Sequence, residues 1–323
     1  MAELPPLPPE YQEQLAELLA AYDQERPGDV AAFRTTQAQG AERIYQYWAR
    51  AFDHYDHCLI VARRMGSVFH SRCQAEAIKR NDAVFDVLRR LHTLALRISA
   101  EIRALLHAGY GDGALARSRT MHELTVIASF IGQHDQETAE RFIAHQAYDE
   151  YRLLETAHRQ SLKEGGAGIE SPLLASAQEQ YEMLAQQYGP GIHSDYGWAA
   201  PTLQPDKPKY APTFRDIEEA VELGGGRPYY QLSTKSVHIS SLGSTFHIVS
   251  DDGVATFSLG PSNRRIGETA RETLVALLEC TFAFLGLSWQ HYGAEAPIVE
   301  ILALTALVTQ ANESFAAIGD EAI

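Results

Sequence analysis

The chain has 323 residues, 45% of them apolar and 21% charged, the composition of a folded globular protein and not of a disordered one. Its formal net charge of −15 excludes a surface that grips nucleic acid or an anionic membrane all over, because both recruit positive charge. Three cysteines without CxxC spacing exclude a disulfide framework, and with no signal-peptide pattern at the start the expected compartment is the cytoplasm.

Residues 1–10 are Pro-rich and read as a loose arm. Residues 9–24 set Leu15, Leu18, Leu19 and Tyr22 on one stripe, an amphipathic helix that must dock on something. From Ala41 to Ala108 the chain holds no proline and only Gly66. Two long helices are expected there, about 41–80 and 82–108, broken and capped at Asn81-Asp82. Gly109–Gly113 is a stop, and the next helix covers about 114–132. Asp135 caps another, about 136–163, which ends in the glycines of 164–168. Ser171-Pro172 opens a helix to about Tyr188.

Residues 189–212 hold five prolines and three glycines, an irregular connection of the length that usually serves function or covers a cleft. Thr213 with Asp216 forms a capping-box pattern for a short helix, Gly224–Gly226 ends it, and Pro228 opens another to about Ser240. Residues 245–250 and 254–259 alternate apolar and polar around Asp251-Asp252-Gly253, which predicts a hairpin over about 245–259. The apolar run Thr273–Trp289 spans 17 residues with Glu279 in its middle, so a core helix is expected and no membrane span. Helices at about 266–291 and 296–318 finish the chain. The expected fold is mainly α, a multi-helix bundle with one small β-hairpin. An N-terminal helical region, 1–110, packs with a helical domain, 111–323, as one unit.

Signatures of P-loop, Rossmann, zincin and GxSxG chemistry are absent, and no cofactor is expected. In the helix at 114–132, Leu124, Ile127, Ala128 and Ile131 form the core face, and Ser118, His122, Thr125 and Ser129 a polar stripe. Arg119 and Glu123 lie four apart and lead into Val126, Ile127 and Phe130, which predicts a partly buried ion pair; the alternative is a solvated surface pair. Arg141, His145, Tyr148, Arg152 and Glu155 draw a second polar line along 136–163. Antiparallel packing of the two helices would bring the lines together, whereas solvated faces would keep them apart. Residues 228–240 carry Tyr230, Ser233 and His238 as a cleft wall, with His238 the first choice of acid or base. A lone histidine also commonly serves structure.

Metal is not expected. Asp53, His54, Asp56 and His57 crowd one and a half turns, but only one ExxH, Glu155 to His158, is present where di-iron bundles need two. Arg117 and His122 fit the Arg-to-His spacing of helical RNases, yet about three such pairs arise by chance in a chain with 13 His, so the spacing discriminates little. Residues 41–120 hold 13 Lys or Arg against 8 Asp or Glu, a local basicity that serves either an acidic partner or internal pairing.

Three stretches carry a resemblance: ARSRTMHELTVIASFIGQHDQETAERFIAHQ (116–146), SDYGWAAP (194–201) and PYYQLSTKSVHISS (228–241). Together they resemble the bacterial helical family catalogued as domain of unknown function 5677, over about 110–290. The resemblance implies Arg119, Glu123, Arg141, Tyr230, Ser233 and His238 as its matched positions, with Trp198 in the loop. It implies an architecture and no reaction.

The leading expectation brings Arg119, Glu123, Arg141 and His238 into one cleft roofed by the 189–212 loop. His238 would act as acid or base, with the arginines holding phosphate. Such a site suits a metal-independent nuclease or toxin-like enzyme of bacterial conflict, including phage defence, with RNA or a nucleotide at a locally basic cleft. The alternative is a non-catalytic helical interaction or regulatory protein. There the Arg-Glu-His network is structural, and the terminal helices dock a protein partner or a second copy in a homo-oligomer.

Overall fold

A computed structural model describes residues 8–169, 171–207, 210–238, 240–245, 248–251, 254–257, 259–292 and 297–319. Helix α1 (Pro9–Arg80) runs unbroken for 72 residues, a rod of about 108 Å at 1.5 Å per residue. The helices expected separately over 9–24 and 41–80 are therefore one. Pro27 lies inside an exposed stretch, where the carbonyl it leaves unpaired can turn to water. Asn81 ends α1 in the left-handed conformation (φ 51°), and Asp82 caps α2 (Ala83–His107) by accepting the Phe85 N–H at 2.8 Å.

Helix α3 (Gly111–Gln133) begins at a close backbone crossing. A Cβ on Gly111 would lie 2.0 Å from the Arg264 carbonyl oxygen, so only glycine fits. The single helix expected over 136–163 is split into α4 (Gln136–Ala144) and α5 (Gln146–Lys163). His145 sits at the joint with Nε2 2.9 Å from the Ser194 carbonyl oxygen, a tertiary contact that periodicity does not foresee. There follow α6 (Ser171–Tyr188), α7 (Ala200–Leu203), α8 (Phe214–Ala220), α9 (Arg227–Val237), α10 (Ile266–His291) and α11 (Ile298–Ile318). Ile248–Asp251 runs antiparallel to Val254–Phe257, with Ile248 opposite Phe257. The remainder of the hairpin expected over 245–259, including 246–247 and 252–253, lies largely outside the described residues.

Helix α3 packs between α2 and α10 and carries α8 and α9 on its outer side; α1 and α11 close the far side. One continuous core extends from Ile44 to Phe315 and encloses Trp48, Phe52, Phe130 and Phe284. Trp48 Nε1 donates to Asn263 Oδ1 at 3.0 Å, so this buried indole keeps its hydrogen bond. Cys58, Cys73 and Cys280 are buried free thiols. Among the described residues α11 is long and apolar enough to cross a membrane by length and composition, but it sends Leu304, Val308, Ala311 and Phe315 into this core.

His92 lies inside the same core, 5.3 Å from the Phe284 ring between centroids. Burial pushes its pKa down from 6.5 to about 4. Because the folded-state value is the lower one, the neutral ring contributes fully above pH 6.5, and that contribution is lost as pH falls toward 4. Urea denaturation at pH 7 and near pH 4 should differ by up to about 3 kcal/mol from this group. The His92→Leu variant should show a correspondingly smaller difference.

Candidate functional site

Two polar groups meet on the outer face of α3. In the first, Arg119 Nη2 stands 2.9 Å from Glu123 Oε1, and the two side chains are 26% and 23% exposed, the partly buried pair that their spacing predicts. Arg119 Nη2 also donates to the Tyr230 hydroxyl at 2.9 Å, and that hydroxyl donates to Glu123 Oε1 at 2.9 Å. Burial first, and the Glu123 carboxylate second, push the Tyr230 hydroxyl up to about 12, so it remains a donor. Among the described residues Arg119 Nε is buried without a partner.

The second group centres on Glu218, a buried carboxylate on α8. His122 Nε2 lies 2.7 Å from Glu218 Oε1, and Arg227 pairs with Oε2 from the first turn of α9. The start of α8 is set by its capping box, in which the Thr213 N–H and hydroxyl both donate to Asp216 Oδ2 at 2.7 Å. That cap places Glu218 on the inward face. The His122 ring packs 5.3 Å from Tyr230 and 5.9 Å from Phe214, and a Cβ on Gly226 would sit 3.1 Å from its Nδ1. With Nε2 against a carboxylate, which only accepts, Nδ1 is the nitrogen left to exchange a proton.

Beside His122 opens a cleft of about 260 Å³, lined among others by Ser118, Thr125, Tyr229, Glu272 and Glu279. Burial raises both glutamates above the usual carboxylate range, and the Glu268 charge adds to the effect at Glu272. Among the described residues this wall thus carries two carboxyl groups, whose burial disfavours their charged form, and no Lys or Arg. Arg119 and Arg227 are engaged by Glu123 and Glu218, which corrects the expectation of a locally basic pocket. Much of the basicity over 41–120 is likewise met internally, as in Arg103–Asp56 at 2.9 Å and Arg117–Glu101 at 2.7 Å.

Of the residues singled out in the sequence, Arg119, Glu123 and Tyr230 come together. Arg141 does not join them. It holds Glu137 at 2.6 Å and lies 4.9 Å over the Tyr188 ring, beside the Trp198–Phe142 contact at the opposite end of α3. His238 is exposed at the end of α9, because the helix stops at Val237 and the chain turns into an extended conformation (ψ 119°). Ser233 is fully buried with its hydroxyl donating to the Tyr230 carbonyl at 2.7 Å, so it is occupied within α9. The polar line along 136–163 meets the proline-rich loop instead of α3: Tyr148 donates to Asp195 at 3.0 Å. That loop seats the buried Trp198 against Phe130 and Phe142 and sends Tyr196 toward Phe214, 6.1 Å between centroids.

Sequence reasoning placed His122 on a polar stripe but missed Glu218 and Arg227, which sit in short elements without a readable period. Among the described residues no three His, Cys, Asp or Glu side chains gather as a metal would require. Asp56 is taken by Arg103, and His158 Nδ1 accepts the Ile169 N–H at 3.1 Å.

The sequence pattern of the family of unknown function DUF5677 matches residues 85–255, just over half of the chain. The chain belongs to this family. The DUF5677 match begins inside α2 and ends in the second strand, nearer the N-terminus than the expected 110–290. It contains both halves of the α3 cluster and leaves out α1, α10 and α11. No curated protein and no solved structure matches the chain.

Replacing Glu218 by Ala removes the counter-charge of Arg227 and His122 together. Breaking a buried pair in this way should cost about 3–5 kcal/mol in urea denaturation, with Glu218→Gln losing less because it keeps an acceptor.

Proposed function

We propose that the chain performs acid-base chemistry in the cleft beside His122, on a small neutral or cationic polar molecule. The observation that carries this reading is the His122–Glu218 contact at 2.7 Å, made to a fully buried carboxylate whose other oxygen is held by Arg227. A buried carboxylate behind an imidazole fixes its orientation and stabilises the imidazolium once Nδ1 has taken a proton. Glu272 and Glu279 on the cleft wall favour a positive or hydroxyl-bearing ligand over a polyanion.

A nuclease or toxin-like enzyme acting on a phosphodiester fits this site less well. Phosphate recognition needs guanidinium groups free to form bidentate bonds, and those of Arg119 and Arg227 already face carboxylates. Ligand-induced thermal shift separates the two readings, with aliphatic amines and polyols on one side and mononucleotides and single-stranded RNA on the other. Amines or polyols should raise the melting temperature of the native chain and lose that effect in His122→Gln and Glu272→Gln. RNA cleavage that disappears in His122→Gln would overturn the small-molecule reading.

A second reading, a non-catalytic interaction protein, draws on the mutual bonding of Arg119, Glu123 and Tyr230, which ties α9 to α3 as a structural clasp. Tyr230→Phe should cost about 1–2 kcal/mol of stability. If the clasp is only structural, ligand-induced shifts at the His122 cleft should persist in that variant.

A further inference from the structure

Every side chain described from Tyr11 to Thr36 is exposed, so the first half of α1 stands clear of the body. Contact begins only at Gln37, whose side chain accepts from the Tyr110 hydroxyl at 2.6 Å, and at Gly40 against Pro261. This free arm is not a polar helix. Leu19 is 53% exposed and Phe33 is 64% exposed, with Leu15, Leu18 and Tyr22 beside them. An apolar stripe of this kind on an isolated helix has nothing to stabilise it until it is covered.

The stripe does not end with the arm. Leu19, Phe33, Tyr47, Val61 and Val68 stand at multiples of seven along α1, with Arg26, Gly40 and His54 at the steps between them; seven-residue spacing keeps one seam facing a partner helix in a left-handed supercoil. Val61 and Val68 open onto an apolar groove of about 270 Å³ between α1 and the start of α11, together with Met65 and Leu285. Two arginines, Arg64 and Arg72, line this groove against one carboxylate, Glu300. Arg43, Arg50 and Arg64 follow each other at seven-residue steps beside the seam, with His57 between the last two. Among the described residues no carboxylate pairs with Arg43, Arg50, Arg64 or Arg72.

The arm has the opposite charge. Residues 9–40 carry six Asp or Glu and two Arg. Two arms laid on each other would set acid against acid, and an anionic membrane would repel them. An arm laid in the basic-rimmed groove meets both an apolar floor and opposite charge.

We propose that two copies of this chain pair antiparallel along α1, each seating its residues 11–36 in the other's groove between α1 and α11. The arm centres near residue 22 and the groove near residue 67, so the two-fold axis crosses α1 near residue 44 and both grooves fill at once. The contact is therefore isologous and closes at a dimer. It lies away from the His122 cleft and does not depend on the acid-base reading.

Sedimentation velocity on the full chain, across a micromolar dilution series, tests this directly. A dimer is expected. Leu19→Ser with Phe33→Ser, both at exposed positions, should weaken it by at least roughly tenfold while circular dichroism stays helical. Reversing the arm charges (Asp23→Lys with Glu25→Lys) or the groove charges (Arg64→Glu with Arg72→Glu) should each weaken the dimer, and combining the two reversals should restore it. A chain monomeric throughout overturns the proposal, as does a dimer indifferent to these changes. Single-stranded RNA bound by a monomer, and released by the groove reversal, would assign the basic line to nucleic acid and overturn it too.

Discussion

Glu218 is a carboxylate with no exposed surface, and a charge removed from water in this way must be met by opposite charge and hydrogen bonds or it unfolds its surroundings. Its two partners come from different parts of the chain, His122 from the middle of α3 and Arg227 from the first turn of α9. The demand of one buried charge thus holds three helices in register. Gly226, against whose backbone the His122 ring lies, follows from the same constraint: a side chain there would crowd the imidazole away from its carboxylate. Tyr230 then falls three residues beyond Arg227, on the turn that reaches Arg119 and Glu123.

The rest of the bundle serves to keep α3 rigid while one side of it stays polar. Its inner faces are sealed by α2 and α10, and its start crosses the Arg264 backbone so closely that Gly111 admits no side chain. A core of this kind, running from Ile44 to Phe315, lets α3 hold polar side chains in fixed positions. The family pattern covers α2 through the strands but not α1, α10 or α11. Those helices complete the core; α10 also brings Glu272 and Glu279 to the His122 cleft, while α1 and α11 border a groove of their own.

Charge is distributed by use. Around the cluster, positive groups are met by Glu123 and Glu218, leaving a cleft whose wall carries the carboxyl groups of Glu272 and Glu279. Along α1, by contrast, an acidic first half precedes a line of arginines that no carboxylate among the described residues pairs with. A net charge of −15 describes neither region. It excludes broad surface attraction to polyanions and leaves local complementarity to the arrangement of helices.

The sequence by itself determined the local features. Its periodicity and caps set most helix boundaries, because Asp82, Asp135 and the Thr213–Asp216 pair bond within a few residues of themselves. It also determined the Arg119–Glu123 pair, since residues four apart on a helix are neighbours whatever surrounds them. It misread α1 as separate pieces, because an exposed proline breaks a local rule that a long rod tolerates. Which faces meet was decided only in three dimensions. Tyr230 reached Arg119 across 111 positions, while Arg141 went to Glu137 and Tyr188 and His238 fell outside α9. Periodicity tells which face of a helix turns inward, but not which helix it will face, and Glu218 and Arg227 lie in elements too short to show a period at all. The candidate site was therefore half legible: the part built within one helix could be read, and the part built between helices could not.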